Sequence, residues 1–319
     1  MNNNPNFKPL PLFRGKHKQT VGGCVINFTF PPKSKTTYLL LPDQDMTTME
    51  VATPPKVDET APIVVMIHGL CGSHNSPYLV RLSKKLYQEG IRSVRLNMRG
   101  CGSSKGLARY MYHSQSSSDV ALALKRLRKD YPNCPLYLIG FSMGGNLALK
   151  VAGELCRDGE TLLDHVIAVS PPARLATSSY LMGQNRFYER HFVNLLTQDA
   201  RFRQRLFPSL PQVNFRKDMT LREFDESFTA PHMGHSSAME YYEASSSLPV
   251  IPHIEIPCEI LYSMDDPIID PFALDNLDLS SYVRIYKTEN GGHMGFLGTP
   301  GSPMGFRWMD SVLFSWLDI

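Results

Sequence analysis

Three residues in this chain have chemistry to offer: a serine with a glycine two positions to either side, an aspartate just past one apolar run, and a glycine-flanked histidine just past another. The serine lies in Gly140-Phe141-Ser142-Met143-Gly144, between the apolar run Leu136–Ile139 and the Leu/Ala/Val-rich stretch Asn146–Leu155. A sharp strand-to-helix reversal there lifts Ser142 above the sheet edge in a strained conformation, and its neighbours two positions away must be small. Gly140 and Gly144 meet that demand, and Gly145 lets the helix lie close to the sheet. The hydroxyl then sits at a helix N-terminus, where amide protons and the helix dipole favour the negative charge of a tetrahedral acyl intermediate.

A serine hydroxyl is a weak nucleophile until a base is held against it and a carboxylate fixes that base. The chain supplies Ser142, Asp266 and His293 in that order, the acid and the histidine each just beyond a predicted strand. Asp265 and Asp270 stand near Asp266 and remain alternatives; Asp266 is preferred because it precedes Pro267-Ile268-Ile269, where the chain re-enters the fold. The other histidines lack the position of His293 after the last strand. An oxyanion needs two donors. The turn His68-Gly69-Leu70-Cys71-Gly72 after the run Ile63–Ile67 offers the Leu70 amide, and Met143, next to the serine, offers its own. His68 reads as a structural residue orienting that loop.

Apolar runs bounded by turn residues alternate with helical patterns along the chain, which implies an α/β fold with a mostly parallel sheet. Strands are predicted at 63–67, 91–96, 136–139, 166–169, 259–262 and 282–286, and helices at 77–88, after 118, at 146–155 and at 304–317. Ser118 or Asp119 is the expected cap of the second of these helices. Before residue 54 the runs Cys24–Phe30, Thr37–Leu41 and Thr48–Thr53 read as antiparallel strands, and residues 1–20 as a surface wrap. The alternation breaks between Arg174 and Ser247, a stretch without a clean strand but with Tyr180, Phe187, Tyr188, Phe192, Phe202, Phe207, Phe224 and Phe228. It reads as a helical cap, 174–247, inserted into a core of residues 1–173 and 248–319. Its aromatics are expected mainly to pack within the cap and in part to line an acyl pocket. All three triad residues then reach the C-terminal edge of the sheet, where open α/β sheets bind ligands.

The chain has 319 residues, 42% of them hydrophobic, enough for one large core with an insertion. Thirty-three basic against 30 acidic residues leave a net charge of +3, with no basic stripe interleaved with aromatics, so nucleic acid is not an expected partner. The cluster Lys125–Lys129 ends a predicted helix, where cations are favoured by the dipole and by solvent. The loop Asn97–Gly102 is rich in glycine but lacks the Lys-Ser/Thr of a phosphate cradle, and reads as a turn at the site's rim. Six scattered cysteines without metal-ligand spacing point to reduced thiols and a cytoplasmic location. No secretory leader and no membrane span are read from the sequence, and the triad chemistry calls for no metal or organic cofactor.

With those residues in place, the chain resembles the YheT-like branch of the α/β-hydrolases, which includes plant embryogenesis-associated proteins. The matching phrases are HKQT (17–20), HGLCGSHNSPY (68–78), MRGC (98–101), YHS (112–114) and GFSMGGN (140–146). LREFD (221–225), YY (241–242), MDDPIID (264–270) and GGHMGF (291–296) complete the set, which spans nearly the whole chain. The resemblance implies an α/β-hydrolase fold and ester hydrolysis on short- to medium-chain acyl esters or small lipids, with the triad carried onto Ser142, Asp266 and His293. Cys71, and the Gly-Ser-Ser-Lys that follows Cys101, depart from the family pattern at the rim and leave the triad untouched. LREFD and YHS carry no derivable chemistry and are expected to anchor the cap and the sheet-edge loops. The competing readings are a non-catalytic binding protein on the same fold and an acyltransferase using the same triad.

Overall fold

The computed structural model describes residues 6–26 and 29–318. Eight strands form its sheet: β1 (Lys35–Leu40), β2 (Met46–Ala52), β3 (Ile63–Ile67), β4 (Arg92–Leu96), β5 (Leu136–Phe141), β6 (His165–Val169), β7 (Cys258–Ser263) and β8 (Val283–Thr288). They lie in the order β1-β2-β4-β3-β5-β6-β7-β8, with β2 antiparallel to both neighbours and every pairing from β4 to β8 parallel.

Strand β3 is apolar throughout because both of its faces are covered, whereas its neighbour β4 buries Arg92, Ser93 and Arg95 beside Val94 and Leu96. In β3, Ile63, Val65 and Ile67 join one hydrophobic core while Val64 and Met66 join the other, and all five are fully buried. The chain's first helix, α1 (Lys16–Val25), is followed by α2 (Pro77–Gln88), α3 (Ser117–Asp130) and α4 (Met143–Arg157). The first core lies under α3 and α4. The second lies under α2, through Leu79, Leu82 and Leu86, and under the closing helix Trp308–Trp316.

Between β6 and β7 the chain is helical: α5 (Leu175–Gly183), α6 (Arg186–Leu206), α7 (Leu221–Phe224), a π turn at Asp225–Thr229, α8 (Ala230–His232) and α9 (Ala238–Ser245). Its apolar residues, among them Tyr188, Leu196, Phe224 and Phe228, continue the core that lies under α4. Arg203 of α6 is 2% exposed and donates to the carbonyls of Ala108 (2.7 Å), Tyr110 (2.8 Å) and Arg99 (3.0 Å). A Cβ on Gly100 would fall 1.9 Å from its Nη2, so the glycine of MRGC makes room for this guanidinium.

Four expectations are corrected. Lys16–Val25 is a helix, so Cys24 begins no strand; residues 27 and 28 lie outside the described residues. Gly22 and Gly23 disfavour a helix on propensity, yet α1 forms because they let it press against Phe13 and Gly295, where a Cβ would fall within 3 Å of either. The surface wrap holds for residues 6–18, which are exposed or half-buried, but stops short of Gln19 and Thr20, which are buried; residues 1–5 are outside the described residues. Helix α3 is capped by neither Ser118 nor Asp119: Ser116 holds the N-cap position without a side-chain cap bond, and Asp119 is taken by Arg99 in a two-bond pair (2.6 and 2.9 Å). The closing helix, α10, begins at Trp308 rather than Met304, because the preceding residues turn through Gly305 at φ +68°.

Candidate active site

The strand β5 runs directly into α4, and Ser142 occupies the join with φ 52° and ψ −122°, a left-handed conformation strained for any residue with a Cβ. Its own N–H continues the sheet by donating to Val169 O (2.8 Å), and its carbonyl accepts from Gly145 and Asn146 (2.7 and 3.1 Å). Both neighbouring glycines are required by contact. A Cβ on Gly140 would lie 2.1 Å from Gly144 O, and one on Gly144 2.5 Å from His68 O. Asn146, fully buried in the first turn of α4, donates to Ser245 O and accepts from Ser247 N (both 2.9 Å), tying the returning connection to the serine helix.

The three sequence-predicted side chains come together. His293 Nε2 lies 2.9 Å from Ser142 Oγ, and its Nδ1 lies 2.8 Å from Asp266 Oδ2. A carboxylate oxygen can only accept, so Nδ1 carries the proton and Nε2 offers its lone pair to the serine hydroxyl. Asp266 Oδ1 accepts from the amides of Ile268 and Ile269 (2.9 and 3.0 Å), which fixes the carboxylate while Oδ2 faces the ring. Asp265 is turned elsewhere: its Oδ1 takes the Ser263 hydroxyl (2.5 Å) and the Gly292 amide (2.8 Å), bracing the histidine loop. Asp270 caps its own turn at Phe272 N (3.0 Å).

The loop after β3 is held amide by amide. Gly69 N–H donates to Tyr78 Oη (2.9 Å), Cys71 to Tyr112 Oη (2.5 Å), Gly72 to Gly69 O (3.0 Å), Ser73 to Ser76 Oγ (3.1 Å) and His74 to Asn97 Oδ1 (2.8 Å). Among the described residues the Leu70 amide meets no acceptor, and neither does that of Met143 at the start of α4. Leu70, Ser142 and Met143 line the same cavity. His68 is fully buried, with Nδ1–H donating to Gly69 O (2.8 Å) and Nε2 accepting from Met98 N (3.1 Å); burial pulls its pKa down to about 4, so it stays neutral.

That cavity encloses about 440 Å³ and is walled mainly by apolar side chains, among them Met182, Leu196, Leu221 and Ile268. Of the eight aromatics between Tyr180 and Phe228 singled out in the sequence, Phe224 and Phe228 reach it. Tyr180 and Phe187 are exposed instead, and Tyr188 is buried with its hydroxyl 2.9 Å from His17 Nδ1. The YHS and YY phrases meet here: Ser114 N–H donates to Tyr241 Oη (3.0 Å), while Tyr112 holds the Cys71 amide. Residue-by-residue reading missed Thr20, Gln19, Tyr78, Tyr112 and Asn146; family phrases contain all five, which was their one signal. Among the described residues no three His, Cys, Asp or Glu side chains gather as metal ligands would.

A sheet of this order with a serine at its strand–helix join defines an α/β-hydrolase, and the family described as alpha/beta hydrolase fold matches residues 62–300, so the chain belongs to it. Within that family it stands in the YheT-like branch: it is 32% identical over 287 residues to YheT of Escherichia coli, covering 88% of this chain and 83% of that one. It is 27% identical to the monoacylglycerol lipase of Saccharomyces cerevisiae, across 82% of this chain but only 60% of the yeast protein's length. The esterase Pf2001 of Pyrococcus furiosus shares the fold at a TM-score of 0.59 and 17% identity, over 92% of this chain and 97% of that one. The protein is an enzyme of the esterase and lipase type. Among the described residues no helix is long and apolar enough to cross a membrane.

Proposed function

We propose that the protein hydrolyses carboxylic esters of short- to medium-chain acids or small lipids through Ser142, His293 and Asp266. The observation that carries this reading is the unbroken hydrogen-bonded line from Asp266 through His293 to Ser142 Oγ, opening on an apolar cavity beside two unpaired amides. Ser142 Oγ attacks the ester carbonyl as His293 Nε2 takes its proton, and Asp266 stabilises the imidazolium that forms. The Leu70 and Met143 amides receive the oxyanion; one such donor is worth about 10²–10³ in rate. His293 then protonates the leaving alcohol, and the acyl group stays on Ser142. A water deprotonated by the same nitrogen attacks the acyl-enzyme and releases the acid.

Residues 174–247 act in this reading as a cap over the serine, supplying the apolar wall for the acyl chain through Leu196, Leu221, Phe224 and Phe228. A cytoplasmic setting belongs to the same proposal and is supported by six free thiols, two of them buried. A fluorophosphonate probe tests the nucleophile: it labels the wild type and not Ser142→Ala, and p-nitrophenyl ester turnover disappears with the label. Labelling that survives Ser142→Ala would move the nucleophile to another residue.

A further inference from the structure

The helical run from Leu221 to His232 shows the cavity two different walls. Leu221, Phe224 and Phe228 make an apolar one; Asp225, Thr229 and His232 line the same space and make a polar one. The π turn at Asp225–Thr229 lies within this run, and such turns recur at functional sites. Asp225 is buried, and among the described residues no lysine, arginine or histidine pairs with it.

The polar wall is a chain of hydroxyls ending on a carboxylate. Ser179 Oγ donates to Tyr242 Oη (2.9 Å), Tyr242 Oη donates to Asp225 Oδ2 (2.8 Å), and Thr229 Oγ1 donates to Asp225 Oδ1 (2.7 Å). The His232 ring donates through Nδ1 to Phe228 O (2.7 Å), which leaves Nε2 of the neutral ring as an acceptor. Every proton named is spent inside the cluster. What remains is acceptor capacity: each Asp225 oxygen has taken one bond, and His232 Nε2 has no partner among the described residues.

On the reading that Ser142 cleaves esters here, we infer that Asp225 and His232 form a subsite for a hydroxyl carried by the substrate away from the bond being cut. A hydroxyl extends a chain already built of hydroxyls, and it satisfies the spare acceptors without bringing a charge into a wall shared with Phe224 and Phe228. The environment disfavours charge: burial pushes the Asp225 carboxyl up to about 6. The preferred substrates are therefore hydroxylated acyl esters rather than plain alkyl ones. A site that pairs buried acceptors with a substrate hydroxyl rejects the analogue lacking it, because the acceptors are then left unpaired.

The test uses two matched pairs: butyl octanoate against its hydroxybutyl counterpart, and ethyl octanoate against ethyl omega-hydroxyoctanoate. The ratio of kcat/KM within each pair is measured on one preparation, so the active fraction cancels. At least one pair favours the hydroxylated ester by about tenfold in wild type, and that ratio falls several-fold in Asp225→Asn, which keeps one of the two accepting oxygens. If Asp225→Asn does not fold, His232→Phe carries the same comparison and lowers the ratio several-fold. A wild-type ratio near one in both pairs overturns the subsite, as does a ratio unmoved by both variants. Preference for an ammonium-bearing ester over the hydroxylated one overturns it in favour of a cation site. Turnover of all these esters must vanish in Ser142→Ala; if it does while the ratio stays near one, the hydrolase reading stands and the hydroxyl subsite alone falls.

Discussion

The backbone N–H of His293 donates to Thr20 Oγ1 at 2.9 Å, a bond between residues 273 positions apart. Thr20 passes its own proton to Lys16 O (2.7 Å), and Gln19 grips Leu297 at both ends, accepting its N–H (2.7 Å) and donating to its carbonyl (3.2 Å). The loop bearing the candidate base is thus seated on α1, so close that a Cβ on Gly295 would fall 2.2 Å from Gln19 O.

Thr20→Val keeps the shape and removes the acceptor, leaving a buried amide unpaired. Ester turnover is expected to fall about tenfold in kcat, because a small displacement of the base is amplified at the serine. KM should change little, since Thr20 does not line the cavity. Thr20→Ser restores kcat. A drop in thermal stability with kcat intact would show that the bond only fastens the fold.

The two adjacent aspartates separate by their partners. Asp266→Asn loses the anion that fixes the tautomer of His293, and kcat falls by about 10³–10⁴. Asp265→Asn keeps an oxygen able to accept from Gly292 N, so its loss stays below about tenfold. Steady-state kinetics of both variants decide it, and the reverse order would exchange the roles.

Alanine substitutions at the turn are ranked by distance. Gly140→Ala and Gly144→Ala drive a methyl to within 2.1 and 2.5 Å of backbone oxygens, atoms that cannot step aside. Gly145→Ala meets its nearest neighbour at 3.2 Å and needs only a small adjustment. Thermal denaturation should find the first two markedly destabilised and the third mildly so; equal effects would contradict the turn geometry.

Acid should unfold the protein in part through His68. Its pKa in the folded chain is about 4 against an ordinary 6.5. Between those values the unfolded chain binds a proton that the native state refuses, so stability falls by up to about 1.4 kcal/mol per pH unit as pH drops from 6.5 to 4. Asp225 acts in the opposite sense: its raised pKa of about 6 lets the native state take up the proton first, so acidification from 6 towards 3.8 stabilises. Melting temperatures across this range should decline less steeply in His68→Gln and more steeply in Asp225→Asn than in wild type.

Local pattern made the parallel strands and the serine turn readable. Ile63–Ile67 and Val166–Val169 are continuous apolar runs of strand length, and glycines mark the strained join on either side of Ser142. Helix α1 was not readable, because His17–Val25 carries two glycines and no clean apolar stripe; it owes its form to contacts with a loop at the far end of the chain. Asp265 and Asp266 could not be ranked with certainty for a similar reason. They are neighbours in sequence, and only the direction in which each side chain leaves the turn, set by the amides of Ile268 and Ile269, distinguishes them. The phrases YHS and LREFD act through pairings between distant stretches of chain, which local pattern does not encode: Tyr112 Oη accepts from Cys71 N, and Asp225 accepts from Tyr242 Oη.

Arg203 has a mechanical corollary. Its guanidinium is the rivet along one margin of the helical connection, bonded to three carbonyls of the Arg99–Tyr110 segment and to Asp199 on its own helix. Lifting that margin would break all three charge-assisted bonds to carbonyls together, so a substrate doorway there is mechanically disfavoured. Toward the other end of the same helix Phe187 stands in solvent, and the Tyr188 hydroxyl reaches across to His17 of α1. Helix α1 is therefore a footing shared by both structures, meeting the helical connection at His17 and the His293 loop at Thr20.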